Sequence, residues 1–214
     1  MNRTNLPSRR ARLALGAVGT LVGALAGVAP ANAEIFGILN GRSAAPPTEQ
    51  LSVEGGLQFG DDVFYVGGRG NYAVSPTVTG FVNLSRFDFD NGGDGFQIGG
   101  GAFLHLVDQR VAPSLDLAVK PSLGYADLDG GNVITLGGEL LVSGRDPLGG
   151  GSLGWYANVG LLISRADADN GGDDTDLEPI VGAGITLPVG SGTFYAGIDF
   201  IDELALGVGF RLGL

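Results

Sequence analysis

The chain has 214 residues, with 12 basic and 23 acidic side chains, which gives a formal net charge of -11. It contains no cysteine, which excludes disulfides, thiolate metal ligands and cysteine nucleophiles. The acidic balance argues against general nucleic-acid binding, because that activity requires a basic surface. Glycine contributes 40 residues, against a usual share of about 7%. Hydrophobic residues make up 44% of the chain, too many for a disordered protein.

The first 33 residues have the pattern of a secretory signal peptide. Several arginines precede a moderately apolar run over 13–29, and 31–33 reads Ala-Asn-Ala, a small-x-small cleavage site. We therefore expect a cleaved signal peptide over 1–33, followed by an irregular periplasmic leader over 34–50. The alternatives are export by a twin-arginine route, indicated by a partial motif at 8–13, and an uncleaved membrane anchor.

From Leu51 onward, apolar side chains alternate with small or polar side chains at period two. In 96–106 and again in 204–214, every second residue lies on a mostly apolar face. This period is typical of a β-strand and not of a helix. Ten such segments are predicted, near 51–60, 62–74, 77–87, 95–107, 112–126, 132–143, 153–165, 177–189, 193–201 and 203–214. Each is long enough to cross a bilayer as a tilted strand of about 9–11 residues.

The connections between these segments alternate in character along the chain. One set is short, near 75–76, 108–111, 145–152 and 190–192. The other set contains more than half of the acidic residues, near 61–62, 88–94, 127–131, 167–176 and 202–203. This asymmetry indicates a barrel with two chemically different ends.

The distribution of charge decides between a soluble and a membrane barrel. A soluble sheet buries its apolar face and places charges on the other face. Here the apolar face carries almost no charge, and the second face is small and weakly polar, which is the apolar-out pattern of a transmembrane barrel. We therefore predict an all-β, up-and-down antiparallel transmembrane β-barrel over 51–214, with about ten strands or, alternatively, eight. A soluble secreted barrel or sandwich is the other interpretation.

The second face is rich in glycine and carries a few charged side chains. In the predicted barrel it lines a narrow lumen, where glycine leaves room for larger groups. The charges predicted to face inward are Glu54, Arg69, Asp116, Lys120, Glu139, Asp199 and Arg211. If the fifth and sixth strands turn at 128–131, Lys120 lies opposite Glu139 and forms an internal ion pair. We expect these charges to satisfy one another in a plugged lumen; the alternative is a permeation pathway.

Two acidic connections share a repeated pattern. Residues 85–94 and 164–173 match at eight of ten positions, and a shorter version lies at 126–132. Their Asn-Gly and Gly-Gly pairs suit tight hairpin turns, but alternating aspartates also resemble oxygen-rich calcium loops. We expect solvated turns and no cofactor. The alternative is a weak Ca²⁺ or Mg²⁺ site whose candidate ligands are Asp88, Asp90, Asp94, Asp167, Asp169 and Asp173.

The sequence predicts no enzyme. The single histidine, His105, lies near a strand end beside a short connection and away from the acidic end. It is therefore badly placed to act as a base with the aspartates, and we expect it to be a packed polar group.

The signal peptide, the ten alternating segments and the apolar final segment 204–214 resemble small bacterial outer-membrane β-barrel proteins. The stretch 85–90, followed by 95–101, is similar to the YfaZ-type outer-membrane family. This resemblance implies location in the outer membrane of a diderm bacterium and insertion by the barrel-assembly machinery, more than a particular activity.

The expected function is that of an integral outer-membrane barrel with a narrow, largely closed lumen and a structural or interaction role. The alternatives are a narrow porin-like channel for small solutes and an outer rim that binds divalent cations or carries an enzymatic activity. The expected partners are membrane lipid and the assembly machinery, without nucleic acid.

Overall fold

The computed structural model of the protein describes residues 43–61, 63–90, 93–108, 115–128, 131–145, 153–168, 173–201 and 203–214. The predicted signal peptide over 1–33 and the first part of the predicted leader lie outside the described residues. No helix in the described part of the chain is long and apolar enough to cross a membrane.

Ten β-strands form one closed antiparallel barrel, in which each strand pairs with the next along the chain and the first pairs with the last. The strands are β1 (Leu51–Phe59), β2 (Val63–Ser75), β3 (Val78–Phe89), β4 (Asp94–Val107), β5 (Asp116–Leu128), β6 (Gly131–Arg145), β7 (Gly154–Ala168), β8 (Asp173–Val189), β9 (Gly192–Ile201) and β10 (Glu203–Gly213). The predicted all-β, up-and-down fold is confirmed, with ten strands and not eight.

The barrel has two distinct ends. At one end β1 begins, β10 ends and the leader residues 43–50 meet the barrel; we call it the leader end. The opposite end carries the acidic connections, and we call it the acidic end. The turn between β8 and β9, at the leader end, is two residues long. Its first residue, Gly190, has a φ of 61°, a conformation that residues other than glycine rarely adopt.

Alternation in the sequence becomes alternation in burial. The even-numbered side chains of β5 and the odd-numbered side chains of β6 face the lumen, and the others face outward. The hairpin between these strands pairs Leu128 with Gly131, as the sequence predicts. This register places Lys120 directly opposite Glu139.

The paired strands continue further at the acidic end than the sequence predicts. Asp88 lies opposite Asp94 in β3 and β4, and Asp167 lies opposite Asp173 in β7 and β8. The expectation that these aspartates belong to turns is therefore corrected. The hairpin ladder continues past the apolar segment because the register is already set, and Arg86 contacts both Asp88 and Asp94 and offsets their repulsion.

Glycines inside the barrel provide space for tyrosine rings. The Tyr156 side chain of β7 extends across Gly184 of β8 and Gly197 of β9, where an added Cβ would overlap its hydroxyl group. A Cβ at Gly197 would also lie 2.6 Å from the backbone oxygen of Ala183, which cannot move without distorting β8.

A second tyrosine makes the same arrangement at the closing seam. Tyr195 of β9 extends across Gly209 of β10 toward Gly56 of β1, where an added Cβ would lie 3.4 Å from its hydroxyl oxygen. Because β10 pairs with β1, this ring packs on both strands of the seam.

We predict that Gly197→Ala lowers the free energy of unfolding by about 1–3 kcal/mol, the usual cost of overpacking. The matched control is Gly138→Ala, since a Cβ at Gly138 has no atom within 4 Å. Urea titration of the refolded barrel measures both variants. Equal losses for the two substitutions would contradict the role assigned to the inner glycines.

Candidate functional site

The middle of the lumen contains a buried ion pair. The side chains of Lys120 and Glu139 are 2% and 0% exposed, and their Nζ and Oε1 atoms are in direct contact. Asn158 of β7 donates a hydrogen bond of 2.8 Å to Glu139 Oε2. The Glu139 carboxylate therefore bonds two neighbouring strands, which compensates part of its lost hydration.

A second charged group lies across the lumen from the first. Arg69 Nη1 is 3.7 Å from Glu54 Oε2, and Asn71 donates a hydrogen bond of 2.9 Å to Glu54 Oε1. The guanidinium carbon of Arg69 also lies 5.1 Å from the centre of the Phe81 ring, within cation–π range. A gap of about 10 Å³ beside Arg69 and Lys120 has room for about one water molecule.

The seven predicted lumen charges all lie in the inward register. Six of them are buried: Glu54, Arg69, Asp116, Lys120, Glu139 and Asp199. Arg211 is half-buried at the leader end, where it lines a cavity. Two ion pairs join four of these charges, Arg69 with Glu54 and Lys120 with Glu139.

The sequence reasoning missed one buried carboxylate, Glu178 of β8. It lies near an apolar cluster of Leu162, Ile180 and Ile201 on the way to the acidic end. The alternation along β8 could have identified it, because Glu178 is an even-numbered residue like the inward-facing Gly182 and Gly184.

At the leader end, one leader residue lies inside the barrel. Ala44 has 0% exposure, and its N–H group donates a hydrogen bond of 2.8 Å to Ser143 Oγ. Its carbonyl oxygen is 2.8 Å from His105 Nδ1. Because a carbonyl oxygen only accepts, Nδ1 carries a proton and donates it, while Nε2 lies 3.0 Å from the Thr79 hydroxyl. His105 is thus a buried polar group that holds the leader.

A cavity of about 460 Å³ lies beside the leader at this end. Its lining includes charges of both signs, among them Glu49, Asp116, Arg145 and Arg211. Neither cations nor anions are favoured by such a lining alone.

At the acidic end the lumen is filled by apolar side chains. Tyr65 and Phe87 pack with their ring centres 6.1 Å apart, and Val63 and Ala126 complete the buried cluster. Together with the ion pairs and the leader, this cluster fills the barrel at three successive levels.

The candidate metal ligands Asp88, Asp90, Asp94 and Asp167 lie at the acidic end. Arg86 Nη2 is 2.6 Å from Asp94 and 3.6 Å from Asp88, so a guanidinium is placed where a cation would bind. Among the described residues, no three His, Asp or Glu side chains come together to hold a metal ion.

The remaining candidate ligands form no shared site in the described part of the rim. Asp90 is exposed, and Asp167 is 3.6 Å from Arg165 Nε. Asp169 lies outside the described residues, and Asp173 is placed by its backbone pairing with Asp167. The Ca²⁺ or Mg²⁺ site stays a prediction.

No family model matches the chain, and no curated protein matches it. Similar solved structures are bacterial outer-membrane β-barrels. The translocator domain of autotransporter NalP from Neisseria meningitidis is 12% identical, with a TM-score of 0.45 and 96% of each chain covered. The KdgM porin is 6% identical, with a TM-score of 0.39 over 76% of this chain and 99% of the porin.

A bacterial polysaccharide outer membrane secretin is 12% identical, with a TM-score of 0.43 over 71% of this chain. The match covers 57% of the secretin, so this chain spans little more than half of that protein's length. Likeness at this level indicates nothing about the activity of the chain.

We predict that Lys120→Met lowers the free energy of unfolding by about 3–5 kcal/mol, because it leaves Glu139 buried without its cation. The double variant Lys120→Met, Glu139→Leu should recover most of this loss. The control is Arg86→Met, which breaks an exposed pair and should cost at most about 1 kcal/mol. Urea titration measures all three variants. A loss for Lys120→Met no larger than that for Arg86→Met would overturn the interpretation.

Proposed function

We propose that this chain is an integral barrel of the bacterial outer membrane with a closed lumen and a structural or interaction role. One observation carries the proposal: the outer surface is apolar on all ten strands, while the ion pairs lie inside. Large apolar side chains are widely exposed around the barrel, including Val82 at 61%, Leu84 at 60% and Leu136 at 56%. A soluble barrel would show the opposite arrangement.

The dimensions and borders of this apolar surface also fit a bilayer. The segment from Phe96 to Leu106 spans about 25 Å at about 3.3 Å per residue and a tilt of about 40°. Exposed aromatic side chains lie toward both borders: Tyr72 and Trp155 toward the leader end, and Phe96 and Tyr125 toward the acidic end. Aromatic girdles of this kind mark the two interfaces of membrane barrels.

The proposal includes a cleaved signal peptide over 1–33, lipid as the immediate partner and insertion by the barrel-assembly machinery. Kinship with the YfaZ-type family is also part of it and rests on the sequence pattern alone. It assigns no catalytic activity to the chain.

We favour a closed lumen over a narrow channel because the interior is filled. The two ion pairs, Lys120–Glu139 and Arg69–Glu54, lie between the leader end and the aromatic cluster around Phe87. The channel alternative rests on the inward positions of Arg69, Lys120 and Arg211.

We predict that Val82→Arg weakens the folded barrel in lipid by about 2–4 kcal/mol, because it places a cation on the lipid face near mid-membrane. Thr77→Arg is the control, since Thr77 is exposed in the β2–β3 turn at the leader end and should change little. Heat-modifiable gel mobility after urea titration in vesicles measures both. A folded chain that stays in solution without detergent, or a harmless Val82→Arg substitution, would contradict a membrane barrel.

We predict no conductance steps above those of the bare membrane when the folded barrel is inserted in a planar bilayer. Insertion is verified separately by protease protection in vesicles of the same lipid. Regular conductance steps from the inserted barrel would favour the channel alternative.

A further inference from the structure

The leader end binds Ala44 through both of its backbone polar groups. Ser143 Oγ accepts the Ala44 N–H at 2.8 Å, and His105 Nδ1 donates to the Ala44 carbonyl at 2.8 Å. These two side chains come from β6 and β4, with β5 between them. They satisfy both backbone polar groups of Ala44, which would otherwise be buried without partners.

Both binding side chains are held in orientation by further groups. The Ser143 hydroxyl donates to Asp116 Oδ2 at 3.5 Å, which leaves its lone pairs to accept from Ala44. The Thr79 hydroxyl lies 3.0 Å from His105 Nε2 and holds the ring in the orientation that points Nδ1 at the leader. Asp116, Ser143, Thr79 and His105 are all at least nine-tenths buried, so this is a built site.

The site also selects the size of the side chain that it binds. The Ala44 methyl group is packed in a buried cluster with Phe81, Phe103, Ala118 and Leu141. Since Ala44 has no exposed surface, a residue larger than alanine does not fit without moving this cluster.

Elsewhere the leader is held by side-chain contacts that can break without loss of strand pairing: Ser43 Oγ lies 3.3 Å from Ser143 Oγ, and Gln50 Nε2 donates to the Tyr72 hydroxyl at 2.8 Å. Ala45 N–H bonds only to Ser43 Oγ within the leader, at 3.2 Å, and Pro46 and Pro47 have no N–H to donate. The next backbone bond to a strand is from Ala73 N to the Gln50 carbonyl, at 2.8 Å. The leader can therefore leave the site without breaking any strand pairing, and the cavity of about 460 Å³ beside it gives room for another segment.

We propose that the leader end of the barrel is a peptide-binding site which the chain's own leader occupies as a plug. The partner that it fits is a peptide segment with alanine or glycine at the position of Ala44. The site recognises the backbone and the small size of that residue, and the mixed charges of the cavity accommodate polar flanking residues. Access from one side of the membrane rests on the proposed function, but the binding chemistry does not.

The absence of cysteine makes a direct test available. The full chain carrying Ala118→Cys places one thiol beneath Ala44, and its labelling rate by a water-soluble maleimide reports exposure of the site. Adding Ala44→Trp should raise this labelling rate by about tenfold or more, because the larger side chain prevents the leader from binding in the site. Thr48→Trp, at an exposed leader position, is the matched control and should leave the rate unchanged.

A synthetic peptide with the sequence of residues 43–50 tests exchange. At millimolar concentration it should restore protection in the Ala44→Trp barrel, whereas the same peptide with Ala44→Trp should not. Equal labelling with and without Ala44→Trp, or equal protection by both peptides, would overturn the proposal.

Heat-modifiable mobility shows whether each variant is folded. If Ala44→Trp does not fold, Ser143→Ala replaces it and should raise labelling by removing the acceptor. If the chain does not insert into membranes, the proposed function fails, but the detergent-folded barrel should still bind the peptide.

Discussion

In the proposed membrane setting, the structure depends on the cost of placing charge and backbone polar groups in an apolar medium. A sheet whose outer face is apolar must close, because an unpaired strand edge cannot be solvated by lipid. Closure into ten strands leaves a narrow interior that receives the charged side chains of the inward-facing register. Lys120, Glu139, Arg69 and Glu54 therefore pair inside the barrel, where each depends on its partner.

Glycine residues leave the space that larger side chains occupy inside the barrel. Where tyrosine rings extend over neighbouring strands, the residues beneath them are Gly184, Gly197 and Gly209. A composition that appears close to low complexity in the sequence is thus a packing solution. The small residues leave space for a few large polar groups, and the strands stay close enough for those groups to meet.

The fold and part of the site could be predicted because both follow from local pattern. Period-two alternation identifies the strands, and the glycine-rich turn at 128–131 fixes the register that pairs Lys120 with Glu139. The leader's position could not be predicted this way. Its two bonds join Ala44 to residues 99 and 61 positions away, and an irregular segment has no periodicity that shows which of its residues is buried.

The most direct test of the apolar-out, charged-in arrangement uses two adjacent residues of β3. In a Trp155→Phe background the chain has no other tryptophan, so single tryptophans can be placed at Val82, which faces outward, or Phe81, which faces inward. In vesicles of lipid brominated on the acyl chains, the account predicts strong fluorescence quenching for Val82→Trp and weak quenching for Phe81→Trp. Equal quenching at both positions, or stronger quenching at position 81, would contradict it.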